Sequence, residues 1–288
     1  MFKSTNFTPA ESVSLSKELA LIGVQSTPLT SLLLSKGNVE QAMATVHTWI
    51  EKTLDNTDDI SAQEGSETTV FQESVRRELN NILQIFKKAV SISGTADAMK
   101  RDTFTQEVSD RLLELKINLE KTLINGLKDD GSTTGVRKMS GLLQYADTAN
   151  AVTGASNSIG DLIKACMQKL WANDLQDGEY YLMVNASLKD AIDETYSGQY
   201  SYQHKETNFG LIVDSINTNF GIVNVVLSKH VPVDKGLIFN DKYVDLVALR
   251  EAKFEALAKT GDSTKGQIVG EYTVKVGSPK AVGVINIA

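Results

Sequence analysis

The stretch TFTQEVSDRLLELKINLEKTLINGLKDDG, Thr103–Gly131, decides how the rest of the chain is organised. Apolar side chains fall at Phe104, Val108, Leu112, Leu115, Leu119, Leu123 and Leu127. Steps of three and four place them on one face of a helix, and Leu113, Ile117 and Ile124 widen that face. Thr103 with Gln106 forms a capping-box start. Glu107 and Arg111 are a favourable i,i+4 pair, and Gly131 supplies the stop. Roughly 24 residues at about 1.5 Å each make a rod of about 36 Å, about twice the mean helix length. A helix of that length spans a whole domain.

On its N-terminal side, residues 1–40 are polar and broken by Pro9, Gly23, Pro28 and Gly37, with short helices expected over 10–22 and 28–35; the segment reads as an arm rather than core. TVHTWIEKTL, 45–54, is strand-like. DNTDDISAQEGSE, 55–67, carries Asp55, Asp58, Asp59, Glu64 and Glu67 and no basic residue, so it reads as a solvated loop. Residues 70–93 are apolar and extended again, which gives a strand, an acidic tip and a strand: a long protruding two-stranded loop. Val75, Leu79, Ile82, Leu83 and Phe86 also fit helical spacing over 72–88, and periodicity leaves both readings open.

On its C-terminal side, Ile159, Leu162, Ile163, Cys166, Met167, Leu170 and Trp171 form the buried stripe of a helix over about 158–173, capped by Ser158 with Asp161. The strand YYLMVN precedes a shorter helix opened by Ser187. Beyond 207, LIVDSI, GIVNVVLS, GLIFND, YVDLVAL, GEYTVKV and AVGVINI read as strands between turn signals. TNFG occurs at 207–210 and again at 218–221. Each copy ends in a glycine that starts an apolar strand, as expected of neighbouring strands entered through the same kind of turn.

The chain has 288 residues, net charge −7 and one cysteine. That length buries a large core. The acidic balance opposes tight nucleic-acid binding, which needs a surplus of Lys and Arg. A lone cysteine excludes a disulfide scaffold, the N-terminus has no signal-peptide apolar region, and no apolar run is long enough to span a bilayer. His47, His204 and His230 are isolated from one another, without the close-set ligands zinc requires. No GxSxG or GxGxxG is present. Gly261–Gly266 has phosphate-loop spacing, but Gln267-Ile268 replaces the required Lys-Ser/Thr, so it reads as a flexible loop. Asp58-Asp59 and Asp129-Asp130 read as loop and helix-end solvation, Cys166 as a buried small hydrophobe, and Arg76-Arg77 and Lys87-Lys88 as solvated edges. No catalytic, cofactor-binding or metal-ligating residue is assigned, and no cofactor or enzymatic activity is expected.

Several segments, in order, carry a resemblance. They are STPLTSLLLSKG (26–37) with a Trp-containing strand at Trp49, LQIFKKAVSISGTADAM (83–99) running into the long helix, GVRKMSGLL (135–143), YYLMVNASLKDAI (180–192), TNFGIVNVVLSKHVPVDKGLIF (218–239) and LAKTGDSTKGQIVGEYTVKVGSPKAVGVI (257–285). Over about 26–287 the chain resembles the major capsid proteins of tailed bacteriophages with the Hong Kong 97-type fold. Specificity comes from the number and order of these segments. The resemblance implies an α+β subunit with an N-terminal arm (1–41), an extended loop (42–94), a peripheral domain with its spine helix at about 103–128 (95–157), an axial domain (158–256) and return strands of the peripheral domain (257–288). It implies self-assembly into hexamers and pentamers of an icosahedral head around double-stranded DNA, in the virion after synthesis and assembly in the host bacterial cytoplasm. The implied partners are further copies of the chain, a separate scaffolding protein, a portal, decoration proteins and weakly held DNA, with no membrane. An encapsulin-type compartment shell shares the fold and is the alternative. Some relatives crosslink through Lys and Asn; Lys52 lies in the extended loop, but no motif identifies its partner.

Overall fold

The computed structural model describes residues 27–53, 61, 63–65, 67, 74–95, 104–155, 159–175, 177–197, 214–259 and 261–287. The expected helix at 10–22, most of the acidic block with Asp58-Asp59, the Thr103 and Ser158 caps, His204 and the first TNFG lie outside them.

Helix α1 (Pro28–Lys36) leads into β1 (Val39–Gln41), and β2 (Val46–Thr53) pairs with β3 (Val75–Ile82) as an antiparallel ribbon. β4 (Gln84–Ser93) follows at once, so the extended reading of 70–93 holds for the described residues. A helix would have put Val75 beside Leu79 and Phe86 on one apolar side; instead Val75 is exposed while Leu79 and Phe86 are buried. The long helix is α2 (Phe104–Asn125). It buries Leu112, Leu115, Leu119, Leu123 and Ile124 and carries the Glu107–Arg111 pair at 3.3 Å. It ends before the expected Gly131. At Gly126 the backbone meets that of Gly141, whose N–H donates to the Gly126 carbonyl at 2.8 Å, and Leu127 beyond it is exposed.

After α3 (Leu142–Tyr145) come β5 (Val152–Gly154), α4 (Ile159–Trp171), β6 (Tyr180–Val184), α5 (Ala186–Ser197), β7 (Asp214–Thr218), β8 (Gly221–Leu227), β9 (Lys235–Asn240), β10 (Val244–Ala256), β11 (Ser263–Val276) and β12 (Val282–Ile287). One sheet has the order β1-β10-β11-β4 and a second β5-β12-β9-β6-β8-β7. The second TNFG is the turn of the antiparallel β7–β8 hairpin, where Gly221 takes φ 135°, a region that favours glycine.

Four expectations about position need correction. The extended loop does not run to residue 94, because β4 is a strand of the four-stranded sheet. Residues 28–41 are not arm: Leu29 and Leu33 are fully buried against the α2 core, because Pro28 starts a helix whose apolar side docks rather than solvates. Gly261–Gly266 is not all loop, since Ser263–Gly266 already pairs with β4; a Cβ on Gly266 would run into the Phe254 ring, which explains the glycine without a phosphate. The strands also do not divide at 256/257. β10 belongs with β11 in the four-stranded sheet, whereas β12 crosses to the six-stranded one beside β9. Alternating apolar residues mark a strand but do not name its neighbour. The two crossings, β9 to β10 and β11 to β12, run side by side and are tied by the Gly277 N–H to the Tyr243 carbonyl at 2.8 Å. One core therefore runs from Leu115 and Leu119 through Val274 and Val276 to Phe239 and Tyr181.

Candidate assembly site

The β2–β3 ribbon has two unlike faces. Successive strand residues point to opposite sides, so His47, Trp49 and Glu51 share one side and Val46, Thr48, Ile50 and Lys52 the other. The first side is fastened to the body. The Trp49 indole N–H donates to the Val276 carbonyl at 2.9 Å and its ring lies 6.1 Å from that of Tyr145. Glu51 accepts from the Ser278 hydroxyl. Asn81, fully buried at the foot of β3, donates to the Ser140 and Val274 carbonyls and accepts from the Ser140 N–H. Such satisfied buried amides fix one geometry, because leaving any of these groups unpaired costs about 1–3 kcal/mol.

The second side faces water. Ile50 is 66% exposed; at the far end Val75, opposite Thr53 and so on the Trp49 side, is 67% exposed. Lys52 stands directly opposite Arg76 in the register, and like charges so placed weaken a strand pair. Lys52 and the Arg76-Arg77 doublet are thus solvent-facing ribbon residues.

Beneath the ribbon, Lys275 reaches Glu40 at 2.6 Å and Asp245 at 3.5 Å, and His47 lies 3.8 Å from Glu40. Burial pushes the Asp245 carboxyl up, opposed by Lys275. Burial also pulls Lys275 down, but Glu40 and Asp245 more than offset it and hold its pKa above the usual lysine value.

α1 is held by a residue that no motif announced. The Glu120 carboxylate, buried within α2, accepts from the Leu29 N–H (2.8 Å), the Thr30 N–H (2.8 Å) and the Thr30 hydroxyl (2.6 Å). These are first-turn donors that a helix leaves unpaired, and no N-cap side chain satisfies them. Burial raises the Glu120 carboxyl above the usual carboxylate range, against the pull of the Thr30 and Leu29 bonds and of Lys116. In sequence Glu120 is one more acid on a helix; only the docking of α1 makes it a cap.

The remaining singled-out residues stand apart. Cys166 is buried in α4, where burial pushes its thiol up to about 12. Asp129 and Asp130 accept from the N–H groups of Gly131 and Ser132 as turn residues. Lys88 pairs with Glu114 on α2 at 3.0 Å, while Lys87 points away into solvent. Among the described residues, no group of three or more His, Cys, Asp and Glu is placed to hold a metal, and no helix is long and apolar enough to cross a membrane.

Comparison with known proteins gives this geometry a context. The family model of the SU10 major capsid protein matches residues 3–288. The capsid of the cyanophage P-SCSP1u is similar in structure at 13% identity and TM-score 0.62, over 100% of this chain and 92% of that one. The structure from Mycobacterium phage Che8 is similar at 13% identity and TM-score 0.59, over 99% and 96%. The SrpI encapsulin complex of Synechococcus elongatus PCC 7942 is similar at 11% identity and TM-score 0.55, over 86% and 84%. Comparison with curated proteins finds no match. The fold is that of Hong Kong 97-type capsid subunits. The chain belongs to the SU10 major capsid protein family and is a structural component of a virion shell.

Proposed function

From that membership, we propose that the chain forms hexamers and pentamers of an icosahedral phage head around double-stranded DNA. The observation that carries this is the ribbon. It is bolted to the body along one side, presents Ile50 and the opposed Lys52 and Arg76 to water on the other, and leaves Val75 exposed at its outer end. A two-stranded ribbon is marginal alone, and one with exposed apolar residues and facing cations calls for a cover. Copies of the same chain supply it when each lays its ribbon over the next, a heterologous contact that closes into rings when the rotation permits.

In this reading the four-stranded sheet with α2 is the peripheral body and the six-stranded sheet with α4 and α5 is the axial body. Residues 1–26 form the arm, and 42–83, with the β2–β3 ribbon, the extended loop, because β4 already belongs to the four-stranded sheet. A separate scaffolding protein, a portal and decoration proteins act with it during assembly in the host bacterial cytoplasm, and the packaged DNA is held weakly because the chain is acidic. The chain catalyses nothing; its work is done by contacts. Electron microscopy of the expressed protein tests the reading: closed shells are expected, and compact single molecules under every assembly condition would sink it. The likeness to an encapsulin favours a compartment shell as the second reading, separated by whether particles carry a portal vertex and DNA or a cargo enzyme.

A further inference from the structure

α1 reaches both bodies of the subunit, and its two ends are held by unlike means. It has nine residues, a rod of about 13 Å. Its first turn is bolted to α2, where the Glu120 carboxylate that takes the Leu29 and Thr30 donors is wholly buried. Along its length, Leu29 and Leu33 lie in the core that also holds Tyr181 and Phe239 of the six-stranded sheet. Its last residue reaches that sheet. The Lys36 ammonium lies 2.9 Å from Glu179, 3.3 Å from Asp241 and 5.7 Å from the centre of the Tyr181 ring. The Tyr181 hydroxyl donates to the same Glu179 carboxylate at 2.6 Å. Tyr181 and then Lys36 hold the Glu179 carboxyl below the usual carboxylate range, and Glu179 holds Lys36 above the usual lysine value.

These groups sit where the chain passes from one sheet to the other. Asp241–Tyr243 is a single 3-10 turn between β9 and β10. The Asp241 N–H donates to the Glu179 carbonyl at 3.0 Å, and its carboxylate accepts from the Glu179 N–H at 2.8 Å. Just past α1, the Asn38 amide brackets the same turn, donating to the Asp241 carbonyl at 2.6 Å and the Val244 carbonyl at 3.2 Å, while the Asn38 carbonyl accepts from the Leu246 N–H at 2.9 Å. The turn ends at Tyr243, whose carbonyl takes the Gly277 N–H of the second crossing. A line of contacts thus runs from Lys36 through Asp241 and Tyr243 to Gly277.

The two holds differ in what can undo them. Glu120 is shut away from water, whereas the Lys36 and Glu179 side chains are 34% and 57% exposed. Salt screens exposed charges far more than buried ones, and exposed ion pairs are weak. We propose that α1 is a clasp across the two sheets, with a fixed bolt at Glu120 and a salt-sensitive latch at Lys36, and that undoing the latch loosens the β9–β10 crossing while the first turn stays docked on α2. The Asn38 bonds carry no charge and survive salt, which keeps the opening local. The joint between the sheets then stiffens or slackens with ionic conditions. The clasp belongs to the single subunit and does not depend on whether copies form shells.

Amide hydrogen exchange on the full-length chain tests this at about 0.1 M and about 1 M salt, with sedimentation confirming one assembly state throughout. The Asp241, Leu246 and Gly277 amides report the crossing, and the Leu29 and Thr30 amides report the bolt. In the wild type, higher salt is expected to speed the crossing amides about fivefold and to leave the bolt amides within about twofold. Lys36→Met removes the charge; it should show the faster crossing rates already at the lower salt and respond little to more. The wild-type salt response decides the matter without the variant. Crossing amides indifferent to salt overturn the proposal, as does a Lys36→Met chain that keeps the wild-type salt response. So do Leu29 and Thr30 amides that speed up in step with the crossing, which would make α1 one undivided unit. Equal acceleration in the middle of β6 and β8 would show a general loss of stability and overturn it too.

Discussion

α2 and the β2–β3 ribbon solve opposite problems with similar amounts of chain. In α2 every third or fourth residue goes into a core that also receives β4, β11 and α1, and even its acid Glu120 is buried and bonded. In the ribbon, Trp49, Glu51 and Asn81 bond one side to the body, and the other side, held at its foot where Asn80 accepts from Lys128, keeps Ile50 in water. The helix is stable because the subunit completes it. The ribbon is placed by the subunit but completed elsewhere. A shell subunit needs both, a body that folds before any neighbour arrives and a limb whose missing burial is supplied by assembly.

This contrast can be broken by substitution. The largest effect belongs to Glu120→Ala, which leaves the Leu29 and Thr30 donors and the buried Lys116 without their carboxylate. A loss of about 3–5 kcal/mol is expected in denaturant unfolding, and a loss under 1 would mean α1 is not held there. Trp49→Ala removes an indole bond and ring packing at the ribbon root and should cost about 2–3 kcal/mol. Amide exchange should show the loss concentrated in β2 and β3 rather than in α2. The effect of pH is smaller. Glu120 has a folded pKa raised above its unfolded value of about 4.3, so the folded state binds the proton more tightly. The stability this contributes is full below the unfolded value and is lost as pH rises through the folded one. Unfolding free energy should therefore fall with rising pH in the wild type relative to Glu120→Gln, and parallel curves would refute the shift. Ile50→Asp should be nearly silent, within about 0.5 kcal/mol in the unassembled chain, yet it should abolish particles in sedimentation. A large drop in monomer stability would show the outer side to be covered already.

The long helix was legible because its apolar spacing repeats over six turns, and tertiary packing only moved its end, from Gly131 to Asn125 just before Gly126 meets Gly141. Strands β8 to β12 were legible as strands but not as partners. What sends β12 to β9 is the paired crossing at Tyr243 and Gly277, set by residues some thirty positions apart. The helix expected over 28–35 is present as α1, and only its docking was missed, because nothing in a polar segment bounded by Pro28 and Gly37 shows that Leu29 and Leu33 pack on α2. The assembly site left almost no trace. Neither Glu120 nor Asn81 belongs to a motif, and each becomes informative only once α1 or the 140 loop is packed on it. Surface recognition between large flat faces has no residue signature comparable to that of a metal site.

The root of the ribbon is fixed at Val276 and Ser278, the short link where the chain leaves one sheet for the other. A tug on the limb is thus delivered as torque to that link, beside the Gly277–Tyr243 tie.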